Sequence, residues 1–151
     1  MALVVRQQQL NVHVTYHQFC FQESDESCVP VEYPDGFEWG KFVNVFPGRI
    51  DVFSAGHTHT ASVGVEVWDS QPPEPKRELW DEVEEVTVES ATGQLAVWDM
   101  GRSDDLVWLG SSGGTWRARM HCKGREETKR ITEQDGSVEG VEKYVVQFWP
   151  Q

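Results

Sequence analysis

Apolar and polar residues alternate at every second position through most of this chain, the signature of strands with one buried face. From Leu10 the apolar face runs Leu10, Val12, Val14, Tyr16 and then changes parity to Phe19 and Phe21. Such a parity change predicts a bulge or a change of sheet near His17 and Gln18. Val63, Val65 and Val67 alternate with Gly64, Glu66 and Trp68, and Trp116, Ala118, Met120 and Cys122 alternate with Arg117, Arg119, His121 and Lys123. The latter pattern predicts a core face and a polar face that meets water or carboxylates.

Residues 83–89 and 94–98 flank Ser90-Ala91-Thr92-Gly93. Gly93 can take the positive φ that a hairpin loop requires, so a hairpin is predicted here. Its register places Val86, Val88, Leu95 and Val97 in the core, with Glu85, Thr87 and Glu89 outside. Shorter strands are expected at 42–46, 50–53 and 106–109, and a final strand at 144–149 stops at Pro150, which has no amide hydrogen. Segments 23–40, 70–77 and 123–140 are rich in Gly, Pro, Ser and charge and read as loops, with room for a short helix near 128–134. Ser111-Ser112-Gly113-Gly114 reads as a hairpin turn feeding the Trp116 strand, because the Lys-Ser/Thr and helix of a phosphate-cradling loop are missing. The expected architecture is all-β: a two-sheet antiparallel β-sandwich of about eight strands, forming a single domain over residues 1–151.

Composition supports a folded core, because seven Trp, seven Phe and three Tyr in 151 residues supply large apolar bodies. Trp116 has core parity, and Trp68, Trp98 and Trp149 are expected to fill the layer between the sheets. Trp39 and Trp80 lie near loops. No export signal and no apolar run of membrane-spanning length is visible, so a cytoplasmic chain without membrane contact is expected. Cys20, Cys28 and Cys122 lack CxxC spacing and read as reduced, buried thiols.

Charge narrows the choice of partner. The formal net charge is −12, with 19 acids against 6 bases in residues 1–105 and 6 acids against 7 bases in residues 106–151. That field repels nucleic-acid backbones and anionic membranes and attracts basic proteins, although acidity alone also serves solubility. The densest segment is 78–89, which holds Glu78, Asp81, Glu82, Glu84, Glu85 and Glu89 without one Lys or Arg. Trp80, Asp81, Glu82, Glu84, Glu85 and Glu89 are therefore the expected partner-binding residues, Trp80 as an apolar anchor. The competing reading pairs these acids internally with Arg117 and Arg119.

No catalytic set emerges. His57 and His59 share one side of an extended segment, a spacing found in zinc sites, but no third ligand is indicated and no metal or cofactor is expected. His13 and His17 share a strand face without an adjacent nucleophile. The acid pairs Asp104-Asp105 and Glu126-Glu127 fall on expected loops, as chance allows at this acidity.

The stretch Leu10-Asn11-Val12-His13-Val14-Thr15-Tyr16-His17-Gln18-Phe19 resembles the amino-terminal strand of the competence protein J family, inhibitors of a bacterial DNA-entry nuclease. The strand Gly114-Thr115-Trp116-Arg117-Ala118-Arg119 after a turn is similar as well. The ending, Glu142-Lys143-Tyr144-Val145-Val146-Gln147-Phe148-Trp149-Pro150, instead resembles a group of uncharacterised bacterial proteins with Tyr-to-Trp-Pro endings. The resemblance implies a non-enzymatic inhibitor or immunity protein that neutralises a nuclease or other basic toxin by protein–protein contact. Two rivals stand beside it. One is a ligand-binding sandwich for sugar or calcium using Trp39, Trp80 or the acidic loops; the other is a small hydrolase built from His13, His17, His57 or His59.

Overall fold

The computed structural model describes residues 1–28 and 35–151, so residues 29–34 of the expected 23–40 loop lie outside the described residues. Among the described residues there are ten strands and one α-helix: β1 (Val4–Val14), β2 (Gln18–Glu23), β3 (Val43–Phe46), β4 (Arg49–Phe53), β5 (His59–Trp68), β6 (Glu82–Ser90), β7 (Gln94–Trp98), β8 (Arg102–Trp108), β9 (Gly114–Lys123), α1 (Arg125–Asp135) and β10 (Glu139–Pro150). They form two five-stranded sheets, ordered β1-β5-β10-β9-β6 and β3-β4-β2-β7-β8. The expected count of about eight strands is corrected to ten, and the shorter runs expected at 42–46, 50–53 and 106–109 are present as β3, β4 and β8. Pairing is antiparallel except between β10 and β5, which run parallel, so the wholly antiparallel expectation is corrected at one pair.

Alternation sets what each sheet buries. In the first sheet Leu10, Val63, Tyr144 and Cys122 lie side by side in one row across four strands. All four belong to one apolar core that also takes Phe19, Phe21, Ile50 and Leu95 from the second sheet. Rings from the two sheets meet there, Phe19 with Tyr144 at 5.2 Å and Phe21 with Phe148 at 5.9 Å between centroids. The predicted change of sheet at His17 is present. Thr15 bridges Gln18, and the chain reverses through Tyr16 at φ 51° and His17 at φ 67°. Both residues are left-handed without being glycine, which costs about 1–2 kcal/mol each.

The predicted hairpin is not formed. β6 pairs with β9 in the first sheet, whereas β7 pairs with β2 and β8 in the second. The Ser90–Gly93 corner carries the chain between sheets because a carboxylate distant in sequence holds it. Buried Glu23 accepts hydrogen bonds from Ser90 Oγ, from Ala91 N at 2.6 Å and from Thr92 Oγ1 at 2.7 Å. Gly93 has φ +80°, and a Cβ there would stand 2.5 Å from the Ser112 carbonyl oxygen. The Ser111–Gly114 turn is likewise a sheet-to-sheet crossing rather than a hairpin, because β8 and β9 belong to different sheets. Core parity nonetheless holds: Val88, Leu95 and Val97 are buried and Val86 packs against them.

Residues 69–81 form a strap that joins β5 to β6, elements separated in the sheet by β10 and β9. Pro72 is buried, and the Pro73 carbonyl accepts a 2.9 Å bond from Arg119 Nη1. Arg119 is 0% and His121 4% exposed, so of the two settings expected for the polar face of β9, water or carboxylates, Arg119 takes the second, with Glu85. The tryptophan layer is corrected too. Val67, Phe148 and Val97 take the core positions, so Trp68 and Trp149 fall on the outer face of the first sheet and Trp98 on that of the second. Trp149 stacks beneath the Arg119 guanidinium at 5.2 Å. The helix α1 covers the 128–134 segment expected to turn helical, and Thr128 is its one buried residue.

Candidate functional site

β6 is the end strand of the first sheet, paired on one side by β9; on its other side the Gly48 N–H donates to the Glu89 carbonyl at 2.7 Å, so the β3–β4 turn covers part of that edge. Alternation divides its acids between two faces. Glu82 and Glu84 share the parity of Val86 and Val88, while Glu85 and Glu89 share that of Thr87. Sequence reasoning grouped these residues; the pleat separates them.

Glu85 is engaged internally. It accepts 3.1 Å from Arg117 Nη2 and 3.2 Å from Arg119 Nε. Burial pushes its pKa up, but the Arg117 hydrogen bond and the charge and hydrogen bond of Arg119 outweigh that and hold it below the ordinary value. The pairing with Arg117 and Arg119 is thus present at this one acid. Glu84 behaves oppositely: partial burial raises its pKa, opposed by Lys41 and reinforced by Glu82. Glu82 and Glu89 are exposed. Asp81 is exposed and accepts 3.1 Å from the Arg125 backbone N–H at the start of α1. Trp80 is half-buried, tilted against His121 at 5.0 Å, with the Lys123 ammonium 5.1 Å from its ring centre. An indole fixed between a cation and an imidazole presents its remaining surface with little entropy left to lose.

The histidines fall into different settings, with His17 and His57 brought together. His17 stacks on Phe53 at 5.0 Å and meets His57 edge-on at 5.3 Å. His13 Nδ1 is held 2.8 Å from Asp99 Oδ2. His59 is buried, its Nε2 2.7 Å from Ser54 Oγ. Ser54 and Glu142 join His59 in a Ser-His-acid cluster that sequence reasoning did not single out. The hydroxyl donates to Glu142 Oε1 at 2.6 Å, as does the Tyr144 hydroxyl at 2.6 Å, and Ala55 N donates to Oε2 at 3.0 Å. The Ser54 hydroxyl therefore donates its hydrogen bond to the carboxylate and accepts one from the imidazole Nε2–H, the reverse of what an activated nucleophile needs. Ser54 and Glu142 are both 0% exposed, so no substrate reaches them. The cluster ties β10 to the β4–β5 connection. Among the described residues no group of three or more His, Cys, Asp or Glu side chains is placed to hold a metal.

No family model and no curated protein sequence matches this chain. Its fold is similar to two solved structures. One is ComJ from Bacillus subtilis, described as an inhibitor of the DNA degrading activity of NucA, with 14% identity, TM-score 0.63 and coverage of 100% of this chain and 99% of that chain. The other is the crocagin biosynthetic gene J product, with 12% identity, TM-score 0.62 and 97% coverage of both chains. The likeness to a ComJ-type protein read from residues 10–19 extends to the fold of the whole chain.

Proposed function

We propose that this chain is a non-enzymatic inhibitor, a single β-sandwich domain that binds a nuclease by protein–protein contact and denies DNA its active cleft. The observation that carries this reading is the end-to-end fold likeness to ComJ, the NucA inhibitor. The net charge of −12 agrees with it. A groove that binds phosphate with Lys and Arg attracts a carboxylate-rich surface and accelerates encounter with it.

The contact surface in this proposal is the β6 end of the first sheet, made of Trp80, Asp81, Glu82, Glu84, Glu85 and Glu89. Glu82, Glu84 and Glu89 supply the steering charge. Glu85 contributes by fixing the strand to Arg117 and Arg119, and Trp80 is the apolar anchor. The partner is a basic protein, and neither nucleic acid nor membrane binds this chain directly.

The test is the association rate with a captured nuclease at low and high salt, for wild type and for a variant carrying Glu82→Lys, Glu84→Lys and Glu89→Lys. Glu85 stays intact, because its replacement would strand two arginines and confuse folding with binding. The expected result is an unchanged circular dichroism spectrum with association slowed at least about tenfold at low salt, the difference shrinking as salt rises. Equal rates at both salts would remove this strand from the interface.

A further inference from the structure

A second surface stands on the opposite sheet. Three non-glycine residues among those described have left-handed backbone, Tyr16 (φ 51°), His17 (φ 67°) and Met100 (φ 58°). Tyr16 and Met100 are also large apolar side chains left exposed, at 61% and 86%. Both line the same cavity of about 630 Å³ on the outer face of the second sheet. Strained backbone that glycine would relieve, kept where a side chain projects into solvent beside a cavity, marks an interaction surface.

The cavity interior has unmet hydrogen-bonding capacity. Gln22 is 4% exposed, and its Oε1 has no hydrogen-bond partner; nor has the buried Trp98 Nε1. Both residues line the cavity. Asp99 also lines it and uses Oδ2 for both His13 Nδ1 at 2.8 Å and Thr15 Oγ1 at 2.9 Å. Asp51 lines the cavity as well, with Arg49 held against it at 2.8 and 3.0 Å. Among the lining side chains there are two carboxylates and one guanidinium, and Gln22 Oε1 is an unused acceptor.

We propose that this cavity receives a cationic side chain, arginine or lysine, from a protein partner. The head group bonds Gln22 Oε1 and Asp99 Oδ1, the aliphatic stem lies between Tyr16 and Met100, and the partner's own backbone carbonyl accepts from Trp98 Nε1. Charge complementarity selects the occupant: an acidic side chain would leave both acceptors unmet and face two carboxylates. The identification of that partner with the nuclease rests on the inhibitor reading; the chemistry of the cavity does not.

The probe is Nα-acetyl-arginine amide, titrated into the ¹⁵N-labelled full chain with Nα-acetyl-norleucine amide and Nα-acetyl-glutamate amide as controls. Saturable shifts are expected at the Trp98 indole N–H and the Tyr16 and Met100 amides, with a Kd on the order of millimolar for a fragment of this size. The glutamate probe should give none, and Asp99→Asn should weaken the arginine probe at least about fivefold. Met100→Gly relieves the left-handed backbone, so it should raise the unfolding midpoint while weakening the probe. No saturable shift with the arginine probe, or an equal response to the glutamate probe, would overturn the proposal. A bound probe in a protein that leaves nucleases active would support the cavity and sink the inhibitor reading, so the two failures are distinguishable.

Discussion

At the residue scale, the informative side chains are the ones that break the alternation rule. Phe19, Phe21 and Glu23 share one strand parity, as do Glu142, Tyr144, Val146 and Phe148, and both glutamates are buried at 1% and 0%. A carboxylate at an apolar position was a legible signal, because burial of such a charge requires dedicated donors. Its partners were not legible, since Ser90 and Ser54 lie 67 and 88 residues away. The cysteines divide in a way composition could not show: Cys20 and Cys122 are buried, with burial the main cause that pushes each thiol up to about 12, while Cys28 is exposed. One thiol should react rapidly with Ellman's reagent in the native protein and two only on unfolding. Three fast thiols would contradict the described core.

The imidazoles give a pH prediction. His59 and His121 are both held below their ordinary value of 6.5, burial being the largest cause, opposed at His59 by Glu142 and at His121 by the Val145 carbonyl. In the unfolded chain both return to about 6.5 and bind protons there first. Their contribution to stability is therefore complete above about 6.5 and declines as pH falls from there toward the lower folded values. The urea midpoint should be lower at about pH 5.5 than at about pH 8, and an unchanged midpoint would show that these rings are hydrated in the native state.

At the element scale, periodicity located the strands, and side-chain partners decided their pairing. The 83–98 region was legible as two strands with Val88 and Leu95 inward, since alternation depends only on local sequence. That they sit in different sheets was not legible, because the deciding bonds come from Glu23. Glu23→Gln keeps the shape but weakens three charge-assisted bonds, and should cost about 2–3 kcal/mol in urea unfolding. A loss below about 0.5 kcal/mol would show that Gly93 and its neighbours turn the corner unaided. Val88→Asp places an unpaired carboxylate beside Trp116, its partner across the ladder, and should cost several kcal/mol. An unfolding midpoint near wild type would overturn the register of β6. The strap that covers the polar face of β9, residues 69–81, was not legible because it reads in sequence only as a proline-rich loop; Pro73 accepts from Arg119 across 46 residues.

At the scale of the whole molecule, the all-β class and the two sheets were legible, and the ten residues from Leu10 to Phe19 pointed to a ComJ-like chain. The parallel β5–β10 pair was not, because nothing local distinguishes a parallel from an antiparallel neighbour. The candidate site was legible as a charge density and not as a surface, since sequence could not tell which acids the arginines of β9 would take. In the proposed function an acidic body offers the β6 end of the first sheet, with Trp80 beside it, to a basic groove, and the further proposal adds a second surface around Tyr16 and Met100 on the other sheet.

The most direct measurement is DNA degradation by the nuclease captured on this chain, followed while the purified chain is titrated in. Activity should fall linearly to zero at a fixed molar ratio, with no DNA bound by this chain alone in a gel-shift control. The Glu82→Lys, Glu84→Lys, Glu89→Lys variant should need a longer preincubation to reach the same endpoint at low salt. Undiminished degradation at a large molar excess of the wild-type protein would contradict the account.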